Sequence, residues 1–474
     1  MAHKAWRWRA LAVLLTACSG RLAPHASGNM AQAWITTGDQ VRLLSREPDI
    51  AILSTPDTSR VVIDVDETKT YQEMVGFGAA LSDASAFLIN NKLGAQRGAI
   101  MRELFGRDGG IGLSFLRTPM GGSDFSSTHY TYDDMPAGES DPTLARFSIA
   151  PDRADKLPLL KAALAINPQI KLVGSPWSAP AWMKTSGSLV KGSLRPDMYA
   201  AYAEYFRRFI RDYSAEGAPL FAVTMQNEPA FEPPDYPGMR LDAKARAELI
   251  GKHVGPLFAR EGITTTILEW DHNWDAPNEP LGVLADSVAR RYVSGVAWHC
   301  YGGDPSVQDT VHAAYPTKDV YFTECSGGAW APSFADNLKW NVGTLIVNSV
   351  RGWARGVAYW NLALDENGGP HLGGCGNCRG VITVNSVTGA VTRNVEYYVL
   401  AHASKFVRPG AHRIASSTAV GGLQSVAFKN ADDGSKVVIV LNSSALPVSF
   451  AIHSAGKAIP YAIPAGAVVT FVWH

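Results

Sequence analysis

No charge of either sign prevails in this chain. Lys plus Arg and Asp plus Glu each number 43 in 474 residues, so no global field draws nucleic acid or an anionic membrane surface to it. A neutral partner fits that balance. Long apolar runs are missing too. The N-terminal stretch Ala10 to Ala17 is too short to span a bilayer as a helix, and no later segment reads as a transmembrane helix. Cysteine is scarce, at five residues. The close pair Cys375 and Cys378 has no second pair to complete a zinc site, and no strand-to-helix context marks it as a thioredoxin-like motif. No internal repeat or low-complexity tract is present. Apolar and aromatic residues are plentiful, at 46% and 10% with 13 tryptophans, enough to fill a barrel of roughly 250 to 400 residues and a smaller module beside it.

Lys4, Arg7 and Arg9 precede the apolar run, the layout of an export signal. Leu15-Thr16-Ala17-Cys18 resembles the lipobox of a bacterial lipoprotein. In that reading Cys18 is the lipidated first residue of the mature chain, and Ser19 suits outer-membrane sorting. Ordinary cleavage within residues 22–27 is the alternative. The expected location is therefore periplasmic, outer-membrane or cell-surface as a lipoprotein, or secreted. In an oxidising compartment the spacing of Cys375 and Cys378 fits a small loop-closing disulfide. Cys300 and Cys325, each at a strand end, read as buried thiols.

Short β-rich runs alternate with helical stretches through most of the chain. Candidate strands are 74–78, 112–117, 170–175, 221–226, 265–270, 296–300, 320–323 and 357–360. Helical periodicity is clearest in 198–213, where Tyr199, Tyr202, Tyr205, Phe206, Phe209 and Ile210 recur at three and four. Residues 155–165, 243–260 and 333–351 read similarly. Eight such units predict an α/β fold, a (β/α)8 TIM barrel. The flanks differ: 50–64 and 423–472 carry alternating or β-branched runs such as Lys436-Val437-Val438-Ile439-Val440-Leu441, broken by Asp433-Gly434 and Pro464-Ala465-Gly466 turns. They predict a side β-sandwich built from both ends of the chain. The expected division is a signal at 1–18, a tether at 19–33, sandwich strands at 34–72, the barrel at 73–407 and further sandwich strands at 408–474.

A barrel of this kind does its chemistry at the C-terminal strand ends. There, Thr224-Met225-Gln226-Asn227-Glu228-Pro229 and Phe322-Thr323-Glu324-Cys325 each place a glutamate after an apolar run. Two carboxylates so delivered suit glycosidic bond cleavage, in which one donates a proton to the leaving oxygen and the other attacks the anomeric carbon. The same rim receives Arg117 and Asp124 from the second strand, Trp177 from the third, His299 and Tyr301 from the sixth, and Trp360 from the eighth. No metal or organic cofactor is required by two-carboxylate chemistry.

These residues also carry a family resemblance. Gly76-Phe77-Gly78-Ala79-Ala80-Leu81-Ser82-Asp83, Leu116-Arg117-Thr118-Pro119-Met120, Ser123-Asp124-Phe125-Ser126, Ser175-Pro176-Trp177-Ser178-Ala179-Pro180, Gln226-Asn227-Glu228-Pro229 and Trp360-Asn361-Leu362-Ala363-Leu364 resemble glycoside hydrolase family 30. The similarity is greatest to its glucosylceramidase-like and β-1,6-glucanase branches. It implies a clan A barrel with a side sandwich and hydrolysis of β-glycosides with retention. It also implies Glu228 as acid/base, Glu324 as nucleophile, Asn227 on the sugar 2-hydroxyl and Tyr301 supporting Glu324, with His299 nearby as an orienter. Asp124 and Trp177 then meet outer hydroxyls, Trp360 forms an aromatic floor, and Arg117 holds carboxylates in place. Asp83 reads as a helix cap as readily as a catalytic group.

Two departures bear on specificity. A cysteine follows the nucleophile by two positions in the glucosylceramidase pattern, whereas here Cys325 follows at once. The loop His371-Leu372-Gly373-Gly374-Cys375-Gly376-Asn377-Cys378 also differs from the animal lipid-cleaving enzymes, and residues 230–239, with Phe231 and Tyr236, form another wall of the mouth. The expectation is a retaining β-glycosidase on β-D-glucosides of the glucosylceramidase type, with an endo-β-1,6-glucanase on β-glucan as the alternative. A noncatalytic carbohydrate-binding lipoprotein and an adhesive surface protein are further readings. Retention of both glutamates with Asn227 and Tyr301 disfavours the first, and no sequence feature supports the second. The sequence is silent on oligomeric state.

Overall fold

Apart from Met1, the computed structural model describes residues 30–54 and 61–474. The export signal and Cys18 lie outside the described residues, as does most of the expected tether. Among the described residues no helix is long and apolar enough to cross a membrane.

Eight parallel strands form the barrel: β1 (Gly76–Ala79), β2 (Phe115–Pro119), β3 (Lys171–Ser175), β4 (Ala222–Thr224), β5 (Thr266–Asn273), β6 (Val293–His299), β7 (Asp319–Glu324) and β8 (Ala354–Tyr359). Each falls on one of the eight expected runs, with ends shifted by a few residues. Neighbours in sequence are neighbours in space from β2 to β8, and β8 pairs with β1. The ring closes where Leu81 donates its backbone N–H to the Arg117 carbonyl at 2.7 Å and Ser114 to that of Phe77 at 3.0 Å.

Side chains alternate faces along a strand, so the barrel interior is layered. Phe115, Val173, Ala222, Leu268, Ala297, Tyr321 and Ala358 form one buried apolar layer, with the Phe115 and Tyr321 rings stacked at 5.8 Å. Two residues further on, toward the C-terminal rim, the inward places belong to Arg117, Ser175, Thr224, His299, Thr323 and Trp360, all buried. The apolar layer is thus the floor on which a polar layer stands. The helix Tyr199–Ala215 turns Tyr202, Tyr205, Phe206 and Phe209 onto the barrel, as its periodicity predicts. The expected helices at 243–260 and 333–351 form, each with a π-helical turn, Leu249–Val254 and Asn341–Asn348.

The second sheet mixes both ends of the chain. Met30–Thr36 pairs with Val468–Trp473, and Val61–Glu73 lies between His412–Ser416 and Val448–Ser454. The first of these strands begins inside the stretch expected as tether. Lys436–Asn442 explains why a run can be apolar throughout: Val438 and Val440 join the sandwich core, whereas Val437, Ile439 and Leu441 join the barrel core. His402, buried between Thr470 Oγ1 at 2.9 Å and Thr36 Oγ1 at 2.8 Å, pins the two units together. With both nitrogens facing neutral hydroxyls, burial pushes its pKa down to about 3.

Candidate active site

Arg117 is the hub of the polar layer. Its Nη1 donates to Glu324 at 2.6 Å, and its Nη2 to Asn227 Oδ1 at 2.7 Å, Asp271 at 2.8 Å and Ser175 at 3.2 Å. Asn227 therefore has its carbonyl oxygen occupied, which leaves its amide N–H groups for a ligand. Tyr301 donates its hydroxyl to Glu324 Oε1 at 3.0 Å, so Glu324 accepts from two donors on opposite sides. Glu228, in a left-handed backbone conformation with φ of 48°, lies 3.2 Å from His299 Nδ1, and His299 Nε2 lies 3.0 Å from Asp271 Oδ1. An oxygen of Glu228 and one of Glu324 fall within 4.8 Å of each other and of a His299 nitrogen. That spacing is short enough for a cation, but both His299 nitrogens already face carboxylates and Arg117 holds Glu324.

Asp271 is the residue that sequence reasoning missed. Counting by twos from Leu268 reaches Trp270, but β5 breaks alternation there. Trp270 and Asp271 take left-handed φ values of 75° and 58°, and the pairing with β6 slips beside Ala297 and Trp298. This bulge turns Asp271 inward, onto Arg117, His299, Ser175, Thr224 and Thr323. His272, also unforeseen, lies 3.8 Å from Glu228.

Burial disfavours every charge here, and the partners decide which survive. For Asp271, Arg117 and then His299 overcome burial and hold the carboxyl well below the usual range. For His299, burial is outweighed by Glu324, Asp271 and Glu228, which lift it from 6.5 to about 9. Glu228 is buried, yet the His299 hydrogen bond and the charges of His272, His299 and Arg117 leave it below its ordinary value. Glu324 stands above its own, because burial with the charges of Glu228 and Asp271 exceeds the pull of His299 and Arg117.

An adjoining wall holds the other expected residues. Trp177 and Trp360 stack at 4.8 Å with planes 21° apart, and the Arg117 guanidinium lies 4.8 Å from the first ring and 5.6 Å from the second. Asp124 is buried with one oxygen lacking a partner, and burial followed by the charges of Glu324 and Glu228 pushes its carboxyl well up. Gly374 presses on it so closely that an added Cβ would stand 2.5 Å from the Asp124 Cβ. The phenol of half-buried Tyr236 is raised by burial and then by Asp124, Glu228 and Glu324, which places it beside the same charges. Cys375 and Cys378 are joined in a disulfide and pack against this wall.

Two expectations are corrected. Cys300 and Cys325 are not thiols: β6 and β7 are adjacent, their ends bring the two Cα atoms to 5.4 Å, and the sulfurs form a disulfide. Asp83 is not the helix cap, because Ser82 Oγ accepts from Ser85 N–H in that role. Asp83 instead accepts from Ser126 at 2.7 Å and Tyr130 at 2.8 Å and faces Lys156 at 3.6 Å, and its carboxyl is raised chiefly by burial.

Comparison with known proteins agrees with this geometry. The glycosyl hydrolase family 30 TIM-barrel domain matches residues 74–407 and the family 30 beta sandwich domain residues 410–471. An endo-1,6-beta-D-glucanase of Neurospora crassa is 34% identical over 88% of this chain and 89% of its own. The lysosomal acid glucosylceramidase of Mus musculus is 29% identical over 87% and 84%. The solved structure of the endo-beta1,6-glucanase BT3312 superposes with a TM-score of 0.87 at 30% identity, covering 94% of this chain and 99% of that one. The chain belongs to glycosyl hydrolase family 30 and is a retaining β-glycosidase.

Proposed function

We propose that the enzyme hydrolyses β-1,6-linked glucan, with Glu324 as nucleophile and Glu228 as acid/base. The observation that carries the role assignment is the asymmetry of donors. Glu324 accepts from Arg117 and Tyr301, which keeps an attacking carboxylate oriented, whereas Glu228 has neither donor and faces the imidazoles of His299 at 3.2 Å and His272 at 3.8 Å. In the resting site the charges run the other way: burial with the Glu228 and Asp271 charges raises Glu324, and Glu228 is lowered because the proton it needs resides on His299. A shift along one 3.2 Å hydrogen bond delivers it. In the first step Glu324 attacks the anomeric carbon as Glu228 gives that proton to the leaving oxygen. In the second, water that has lost a proton to Glu228 releases the sugar. An approach within 4.8 Å suits this double displacement; inversion places the carboxyl groups about 6.5 to 9.5 Å apart to admit a water. The Asn227 amide is left to donate to the sugar 2-hydroxyl. Asp124, with its free oxygen, Trp177 and Trp360 seat the rest of the ring.

The glucan specificity is supported by the endo-1,6-glucanase relative and the 0.87 TM-score to a solved endo-β1,6-glucanase. Glucosylceramide is the second reading, favoured by the 29% identity to the mouse enzyme. Product analysis on linear β-1,6-glucan and on glucosylceramide tests the choice: oligosaccharides from the glucan are expected, and glucose with ceramide alone refutes it. Glu324→Gln abolishes either activity. Export is part of the proposal. A signal at 1–18, with Cys18 as a lipid anchor and a tether to residue 33, is supported by the charged and apolar N-terminus and by two disulfides that require an oxidising compartment. The division into a barrel at 73–407 and a sandwich from 34–72 and 408–474 is supported by the strand pairing.

A further inference from the structure

Asp124, Trp177 and Trp360 come from the ends of β2, β3 and β8. A sugar seated on them leaves the opposite arc of the barrel, around β4 to β7, for the group to which it is bonded. On that arc a cleft of about 640 Å³ opens beside the catalytic pair, lined by the Cys300–Cys325 disulfide and by Tyr301. Tyr301 belongs to both places, since its hydroxyl also reaches Glu324. Farther out the cleft is lined by Trp330 and Trp340, which are 55% and 47% exposed. Large aromatics left so open beside a reaction centre are unusual for a folded surface.

Trp330 is held by design of the backbone. Gly327 and Gly328, just beyond Glu324, pair with Cys378 and Arg379, and the Trp330 ring lies so close to Gly328 that an added Cβ would come within 2.0 Å of it. Only glycine lets the ring rest there. The chemistry of the lining is also selective. Ser326, Ser333 and Asp336 interleave with the aromatic residues, and no Leu, Ile, Val, Met or Phe takes part.

We propose that this cleft binds the leaving-group side of a β-glucan chain, with Tyr301, Trp330 and Trp340 as its sugar-facing surfaces. The proposal rests on the glucan reading above and deepens it. A pyranose offers a C–H face to an aromatic ring and hydroxyls at its edge, which matches flat rings separated by serine hydroxyls and a carboxylate. An acyl chain would strip water from those polar groups and give no hydrogen bond in return.

Trp330→Ala, Trp330→Phe, Trp340→Ala and Gly328→Ala variants, each checked for an unchanged melting temperature, test this. Each is assayed for kcat/KM on linear β-1,6-glucan and on phenyl β-glucoside, whose leaving group is too small to span the cleft. Trp330→Ala should lower kcat/KM on the polymer by roughly tenfold more than on the phenyl glucoside. Trp330→Phe should recover most of that loss, and Gly328→Ala should reproduce it. Adding Trp330→Ala to Glu324→Gln should weaken calorimetric binding of β-1,6-gluco-oligosaccharides by a similar factor. Equal losses on both substrates, or undiminished polymer hydrolysis, overturn the cleft assignment and leave the glucanase reading standing. A wild type that cleaves glucosylceramide but not glucan removes the glucanase reading itself. In that case a Trp330→Ala loss confined to the lipid assigns the cleft to an acyl chain and overturns the proposal.

Discussion

His299→Asn should narrow the pH range of catalysis from both sides. In the wild type the pair of His299 and Glu228 holds the transferable proton until the pH passes about 9, the value to which Glu324, Asp271 and Glu228 lift the imidazole against burial. Without the imidazole the proton must sit on Glu228 itself, and the alkaline limit becomes that of a carboxyl, well below the value the imidazole reaches. One pH unit above that lowered limit only about one site in ten would then carry it, so kcat/KM there should fall about tenfold beyond any loss at the optimum. The acid limb should rise, because Glu324 loses a cation that lowers it. The assay is kcat/KM against pH on phenyl β-glucoside, which needs acid assistance, and on dinitrophenyl β-glucoside, which does not. Only the first should lose its alkaline half. An upper limb still near 9 in the variant, or equal loss on both substrates, refutes the relay. Stability gives a second readout with the sign fixed by linkage. A group lifted from 6.5 to about 9 on folding stabilises fully below 6.5, and that contribution is lost as the pH rises through 9. Wild-type melting temperature should therefore fall across this window more than that of His299→Asn.

Arg117→Lys keeps a positive charge but loses the fork that reaches Glu324, Asp271 and Asn227 together. Loss of one or two charge-assisted hydrogen bonds at about 1.5 to 3 kcal/mol each lowers kcat/KM by at least about tenfold, and by about a hundredfold or more if two are lost; unchanged kinetics in folded protein would refute its role as hub. Reduction of the Cys300–Cys325 disulfide, or Cys300→Ser with Cys325→Ser, frees the strand ends that carry Tyr301 and Glu324. Activity should fall before global unfolding is seen by circular dichroism, and thiol counting by mass spectrometry should track the loss.

Much of the fold was legible because each barrel strand is a short apolar run whose alternate residues face one packed interior. Glu228 and Glu324 stood out for the same reason, each closing such a run with a charge. Asp271 did not. The bulge that aims it inward is visible in backbone dihedrals and strand register, and the sequence pattern there points to Trp270 instead. The Cys300–Cys325 bond was hidden because it depends on β6 and β7 lying side by side, and lone cysteines 25 residues apart carry no such information. Trp330 and Trp340 were equally silent, since a single tryptophan is more often core than sugar platform; only their exposure beside the catalytic pair distinguishes them. The two-face burial of Val437 to Leu441 was legible as a strand, but which face met the barrel required the packed structure.

The assignment of Glu324 as nucleophile is tested most directly by trapping the glycosyl-enzyme. A 2-deoxy-2-fluoro-β-glucosyl fluoride slows both steps by opposing positive charge at the anomeric carbon, yet its fluoride leaves readily, so the covalent intermediate accumulates. After proteolysis, mass spectrometry should find one fluoroglucosyl group on the peptide containing Glu324, released with time as activity returns. A label on Glu228, or no covalent adduct on an enzyme that the reagent has inactivated, would contradict the mechanism.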